Sequence, residues 1–430
     1  MESLSRENII IVGAGVAGLK AARELSKKGY GVTVLEANNR LGGRIHTWHN
    51  SSFERPVERG VEFIHGNLPL TLELLKEAKI EYRPVRGRMI RIENGEWKTQ
   101  DDLAVGWKEL MERMNEVQED ITLNEFLKEN FKDGVYASLR KSALRFAEGF
   151  DLADPAIASV LALRAEWMEE QDEQYHVPAG FDKLVDHLEK QCRSCGTMIR
   201  TSSPVKKIKW QKNAVTVITR DEQEIAGSKI IITVSLGVLR AEPSAEASIS
   251  FYPSIDNYIA AANKIGFGSA VKIVLQFRES FWEKEKKNLG FLFSEEIVPT
   301  WWTQLPIHHH LLTGWAGGPQ AEELQQKSDK EVFQLGLGSL SSIFKKSRSE
   351  LEGMLTASLV ANWKQEVFCK GAYSFNTLET PTARTLLNEP VEDTLFFAGE
   401  ALYNGSSPGT VEAALVSGKS VAEKIMTTAV

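Results

Sequence analysis

The stretch from residue 9 to residue 44 constrains the fold of this chain more than any other. An apolar run at 9–12 reads as a short buried strand. Gly13, Gly15 and Gly18 follow, then a helical pattern with Ala17, Ala21, Ala22 and Leu25 on one side, ended at Gly29. Residues 32–35 read as a second strand, closed by Glu36. The spacing has a physical reason. Gly13 permits a tight turn, Gly15 lets backbone approach a pyrophosphate, and Gly18 lets the helix pack closely on the sheet. The free N–H groups at the helix start then face phosphate charge. Glu36 stands where an acid takes the ribose hydroxyls of a dinucleotide. A bare glycine turn has neither the acid nor the strand-to-helix context. The fold class expected is α/β, with a Rossmann-like nucleotide-binding domain on a parallel sheet.

The rest of the chain must fit around that domain. Its 430 residues give room for two or three domains. Helical patterns run from about residue 100 to 195, strands return at 214–219, 228–234 and 270–278, and a helical pattern resumes at 321–348. Nucleotide-type segments thus fall at the start, middle and end. The expected layout is a discontinuous nucleotide domain (1–75, 197–245 and 376–430) with an inserted α+β substrate-binding domain (76–196 and 246–375). Net charge is −7, which argues against nucleic acid as a main partner and suits a cationic ligand. No cationic leader with an apolar core and no run of 18 apolar residues is visible, so no membrane association is expected. Cys192 and Cys195 form a C-x-x-C without a preceding strand or a second pair. They read as incidental thiols of a reducing compartment, which points to the cytoplasm. The run His308–His309–His310 reads as a loop, since neighbouring imidazoles point apart, and no metal is expected.

The residues after Glu36 narrow the cofactor. Glu36, Ala37, Arg40, Gly42, Gly43 and Arg44 spell E-A-x-x-R-x-G-G-R, which resembles the flavin-containing amine oxidases. Desaturases and protoporphyrinogen oxidases share the run. The C-terminal part is similar to the same family: Phe396 to Glu400 spell F-F-A-G-E, and Thr410 and Val411 open a helix. The resemblance implies FAD as cofactor. It places Ala17, Gly43, Arg44, Gly399 and Glu400 against it, with Val205 holding the adenine and the helix start at Thr410–Val411 facing the flavin ring. A helix N-terminus there favours negative charge on the reduced ring.

Polyamine oxidases carry a G-x-x-x-I-H-G like Gly60, Ile64, His65 and Gly66 here. The resemblance lays Gly60, Val61, Glu62 and Phe63 along the cofactor and turns His65 to the substrate. Glu62 lies three residues before His65, and is either an anchor for a second ammonium or simply solvated. Lys272, in an apolar strand, matches the family's lysine that reaches the flavin through water. The alternative is a snorkelling surface lysine. Trp363, Gly371, Ala372 and Tyr373 resemble W-x-x-(D/E)-x-x-x-x-G-x-Y, with Tyr373 an aromatic wall of the cavity. Ala372 stands where monoamine oxidases carry the flavin-linking cysteine, so FAD should be held non-covalently. The second wall tyrosine has no clear match, and Ser407 or Tyr403 could stand there. Trp302 and Trp315 either draw an ammonium group or form core.

The resemblance as a whole implies oxidation of a small-molecule amine by hydride transfer to FAD, with oxygen as acceptor and peroxide as product. The amine and the oligomeric state are open. A flavin-dependent desaturase or oxidase of a non-amine, or a non-catalytic flavin-binding protein, would share the nucleotide motifs without needing Lys272 or His65.

Overall fold

A computed structural model describes residues 7–93, 95–99, 106–169 and 173–428. Five parallel strands form the central sheet: β1 (Asn8–Val12), β2 (Gly31–Leu35), β3 (Met198–Arg200), β4 (Lys229–Ile232) and β5 (Leu395–Phe397). Their order is β3-β2-β1-β4-β5. The alternation of side chains decides which layer each face meets. Ile9, Ile11, Val32, Val34, Ile231 and Phe396 share one core with the helices Val16–Lys27, Asp182–Ser194 and Val411–Thr428. Ile10, Val12, Leu35, Ile230, Ile232 and Phe397 face the other way. They meet an outer four-stranded sheet and the helices Asp256–Lys264 and Thr380–Asn388. Burial on both faces explains why these strands read as unbroken apolar runs.

This packing moves two of the expected boundaries. The helix Asp182–Ser194 lies within 76–196, yet its Leu184, Val185, Leu188 and Cys192 join the nucleotide-domain core. Residues 255–265 lie within 246–375, yet Ile255, Tyr258, Ala261 and Ala262 pack under the parallel sheet. Both segments were read as part of the inserted domain because their sequence shows amphipathicity but not which sheet receives it.

The inserted part is built on a seven-stranded mixed sheet in the order Leu355–Asn362, Ala270–Phe277, Leu311–Gly317, Thr300–Trp302, Leu289–Phe293, Arg88–Glu93, Glu96–Thr99. Helices 107–169 form a separate cluster whose core is Leu110, Met114, Phe126, Phe131 and Trp167. No described helix is long and apolar enough to cross a membrane.

One buried carboxylate ties the C-terminal helix to the start of another. Glu412 accepts from the N–H of Leu70 (3.0 Å), the N–H of Thr71 (2.7 Å) and the Thr71 hydroxyl (2.8 Å). It caps the helix Pro69–Glu77, whose first N–H groups have no partner within the helix. Glu412→Ala leaves these buried donors unmet and is expected to cost about 1–3 kcal/mol. Thermal melting of the purified protein measures this, and an unchanged melting temperature would show that Glu412 does not hold the two helices.

Candidate active site

The carboxyl ends of β1, β2, β4 and β5 open into one cleft of about 730 Å3 that runs on into the inserted domain. The turn after β1 is held at Gly13, which has φ 107° and donates to the Leu35 carbonyl at 2.8 Å. The Thr233 hydroxyl, at the end of β4, donates to the carbonyls of Val12 (2.9 Å) and Gly13 (3.0 Å). A Cβ on Gly15 would touch no protein atom within 4 Å, so it would project into the cleft where a pyrophosphate must approach. Gly18 does not line the cleft. A Cβ there would fall 2.1 Å from the Gly13 carbonyl oxygen, so its part is to pack the helix onto the turn. Glu36 is buried at the end of β2, accepting from the N–H of Ala14 at 2.8 Å and of Asn38 at 2.9 Å. Ala17, Ala37, Arg40, Gly43 and Val205 line the same end.

Further along, Arg44 donates to the Ala372 carbonyl at 2.6 Å and pairs with Glu400 at 2.7 Å. Glu400 is held from its other side by the Ser374 hydroxyl at 2.5 Å. Gly60 is fixed by crowding: a Cβ would sit 1.9 Å from the Arg44 carbonyl oxygen and 2.9 Å from the Trp363 ring. The Trp363 indole donates to the Arg59 carbonyl at 2.9 Å. The segment around Gly60 therefore forms two short strands, Val57–Glu58 and Phe63–His65, with the chain turning past Arg44 between them. Val61, Phe63, Gly399, Thr410 and Val411 complete this wall.

Lys272 is not a snorkelling surface residue. It is buried at mid-strand, and its ammonium donates to the Gly60 carbonyl (2.7 Å) and to Glu62 (2.9 Å). The other Glu62 oxygen accepts from the indole of Trp302 and the amide of Gln304, both at 2.9 Å. Burial alone would raise the Glu62 carboxyl, but the Lys272 ammonium and these two donors outweigh it and hold the group below the usual range. Glu62 is thus neither solvated nor a free anchor; it is the counter-ion of Lys272.

His65 lines the cleft with its ring edge-on to Phe150 at 5.1 Å, and its Nδ1 has no hydrogen-bond partner in the protein. Burial pushes the imidazole down to about 4, so it is neutral at physiological pH. The Tyr373 hydroxyl donates to the Phe150 carbonyl, and the Trp315 indole to the Gly149 carbonyl at 2.7 Å. Trp302 and Trp315 face each other across 6.4 Å on the cleft wall. The segment Gly149–Phe150–Asp151 therefore organises the inner cleft, and sequence reasoning missed it. Phe146 and Phe150 read as one face of an ordinary amphipathic helix. The only hint was Asp151, a charge beside Phe150 and Leu152 just before the break at Asp154–Pro155. The second wall is neither Tyr403 nor Ser407, which do not line the cleft; Pro408 does, next to Gly409 and Tyr373.

Residues 16–426 match the family model for flavin-containing amine oxidoreductases. This chain belongs to that family. Among curated relatives, lysine-specific histone demethylase 1B of Mus musculus is 28% identical over 97% of this chain and 53% of its own length. Polyamine oxidase 2 of Arabidopsis thaliana is 26% identical over 97% of this chain and 87% of its own. The chain spans about half the length of the animal demethylases it matches. A solved structure of putrescine oxidase bound to putrescine superposes with a TM-score of 0.82 at 19% identity, covering 98% of this chain and 99% of that one, which shows a shared fold.

The family's flavin is FAD, and the open space at Gly15, the buried Glu36 and the crowded Gly60 fit a dinucleotide laid along this cleft. At Ala372 the flavin-containing amine oxidoreductase has no thiol. The nearest, Cys369, donates to the Gly371 carbonyl at 3.2 Å, and burial pushes it up to about 11, far from a reactive thiolate. Acid precipitation is therefore expected to release the yellow colour into the supernatant. Colour kept in the pellet would contradict non-covalent binding.

Proposed function

We propose that this protein oxidises a small amine, of the polyamine-oxidase type, at the carbon bonded to nitrogen. The product is an imine that water hydrolyses, with oxygen as electron acceptor and hydrogen peroxide as co-product. The observation that carries this reading is a buried lysine, Lys272, in an aromatic-walled cleft continuous with the nucleotide cradle. FAD, when bound, supplies the hydride acceptor and passes the electrons on. The chain's own residues do the rest. Trp302, Trp315, Phe150 and Tyr373 exclude water and fix the amine against rotation. Neutral His65 presents a ring nitrogen as a hydrogen-bonding group without adding positive charge that would repel an ammonium. Lys272, held by Gly60 and Glu62, places a donor at the cleft wall where negative charge develops.

The polyamine-type substrate is supported by a second feature. Asp151 is buried in the cleft with the Trp167 indole as a partner at 2.8 Å, and burial pushes its carboxyl up to about 7. A cationic group entering the cleft would stabilise its charged form. The three free thiols suit a reducing compartment, and we place the protein in the cytoplasm.

Peroxide release across a panel of monoamines, diamines, polyamines and an N-methylated lysine peptide tests the assignment. Turnover is expected with one of the small amines. No turnover with any amine would favour a non-amine substrate or a non-catalytic flavoprotein, and turnover confined to the peptide would move the substrate class.

A further inference from the structure

Glu62 is taken by Lys272, so a second ammonium on the substrate needs another carboxylate. The helical cluster supplies one. Asp151, 5% exposed, lines the cleft. Its Oδ2 accepts from the Trp167 indole at 2.8 Å. Its Oδ1 has no hydrogen-bond partner among the described residues and opens on the cleft. The turn that carries Asp151 is held by packing. Leu152, the next residue, has φ 54°, a conformation that bulky side chains avoid. It is pinned there: a Cβ on Gly268 would fall 2.3 Å from the Leu152 Cβ, and one on Gly317 would fall 2.4 Å from its Cδ2. Leucine fills the space that these two glycines leave.

Four rings stand on the same cleft wall as this carboxylate. Trp167 packs on Trp107 at 5.1 Å and on Phe146 at 5.4 Å. Trp107 meets Phe146 edge-on at 5.4 Å, and Phe150 stacks on Phe146 at 5.2 Å. Aromatic faces attract a cation and pack against the methylenes that carry it. A buried carboxylate with one oxygen unmet is costly unless a cation or donor comes to it. The charge of this wall suits a cation. Glu148 and Glu166 line it too, and Arg145, on the same helix as Glu148, pairs with Glu295 at 3.4 Å. Phe150 joins this box to the reacting end, because its ring also meets His65 edge-on at 5.1 Å. The box therefore begins one ring past the imidazole, where a second nitrogen on an alkyl chain would lie.

We propose that Asp151, with the rings of Trp107, Phe146 and Trp167, is the subsite for the distal ammonium of a linear diamine or polyamine, and that it sets a preference for such dications over monoamines. This deepens the amine-oxidase reading and rests on it. One N–H of the ammonium donates to the open oxygen of Asp151, a charge-assisted hydrogen bond of the stronger kind. The methylenes next to the nitrogen lie on the rings.

The test follows anaerobic flavin reduction in the holoenzyme with linear diamines and with monoamines of the same chain length. Each series gives an apparent dissociation constant and a limiting rate. At about pH 8 Asp151 is largely ionised, since burial pushes its carboxyl up to about 7. From one chain length upward, wild type is expected to bind the diamine more tightly than its monoamine. In Asp151→Asn the amide oxygen can still accept from Trp167, and the amide N–H groups then face the cation. The diamine advantage is expected to fall roughly 10- to 100-fold, in the dissociation constant rather than the limiting rate. Trp107→Leu removes a ring and none of the hydrogen bonds of Asp151, and should cut the advantage roughly three- to tenfold. Amines that reduce the flavin with the same diamine advantage in wild type and Asp151→Asn overturn the proposal, as does wild type with no diamine advantage at any length. If Asp151→Asn does not fold, an unchanged advantage in Trp107→Leu overturns it. Flavin that no amine reduces overturns the amine-oxidase reading itself, and this inference with it.

Discussion

Lys272→Met is expected to slow the flavin half-reactions on the order of 10²-fold, the usual cost of one preorganised donor. It should also cost stability. The ammonium is buried against a largely buried Glu62, and removing one partner of such a pair costs about 3–5 kcal/mol, because the other charge is left uncompensated. Trp302 and Gln304 still donate to Glu62, so the loss should fall at the lower end. Methionine keeps the length and apolar contacts of lysine, so packing is not the cause. The double variant Lys272→Met/Glu62→Gln separates the two effects. It removes the stranded charge and should recover melting temperature without recovering rate. Stopped-flow absorbance for both half-reactions and thermal melting of the three proteins check this. Wild-type rates in Lys272→Met would remove the residue from the chemistry, and a double variant no more stable than the single would deny the pairing.

The second large effect is on cofactor retention. Glu36→Ala removes the only carboxylate at the end of β2 that faces the nucleotide end of the cleft. Hydrogen bonds to a charged group are worth about 1.5–3 kcal/mol, so flavin affinity should fall roughly 10- to 100-fold. Part of the loss is indirect, since Glu36 also holds the N–H groups of Ala14 and Asn38 in the turns that cradle the dinucleotide. Flavin-to-protein absorbance after gel filtration reads the occupancy. Reduction kinetics of the holoenzyme that survives should stay near wild type, because ribose lies far from the reacting ring. Unchanged occupancy would take Glu36 out of the site.

The nucleotide half of this molecule was legible because its chemistry is local. Gly13, Gly15, Gly18 and Glu36 lie within one βαβ unit, and each constraint acts between neighbours in sequence. Arg44 and Glu400 were legible as motifs, but their 2.7 Å contact joins residues 356 positions apart and no spacing announces it. The inner cleft was less legible. Lys272 stood out as a charge in an apolar strand, yet its partner Glu62 reads as an ammonium anchor or a solvated group, because no spacing announces a contact between residues 210 positions apart. Phe150 and Gly149 act through backbone carbonyls, which any residue type carries, so their identities gave no signal. The domain boundaries near 182 and 255 slipped for a related reason: amphipathic helices show that a face is buried, not against which sheet.

The account stands or falls on whether an amine delivers electrons to the bound flavin. The most direct measurement is an anaerobic titration of the purified yellow protein with a small diamine or polyamine, followed by its visible absorbance. The account predicts that the yellow band bleaches with substrate and returns when air is admitted, with peroxide formed in step. A band that no amine bleaches, in a protein that a chemical reductant still bleaches and air still restores, would contradict it.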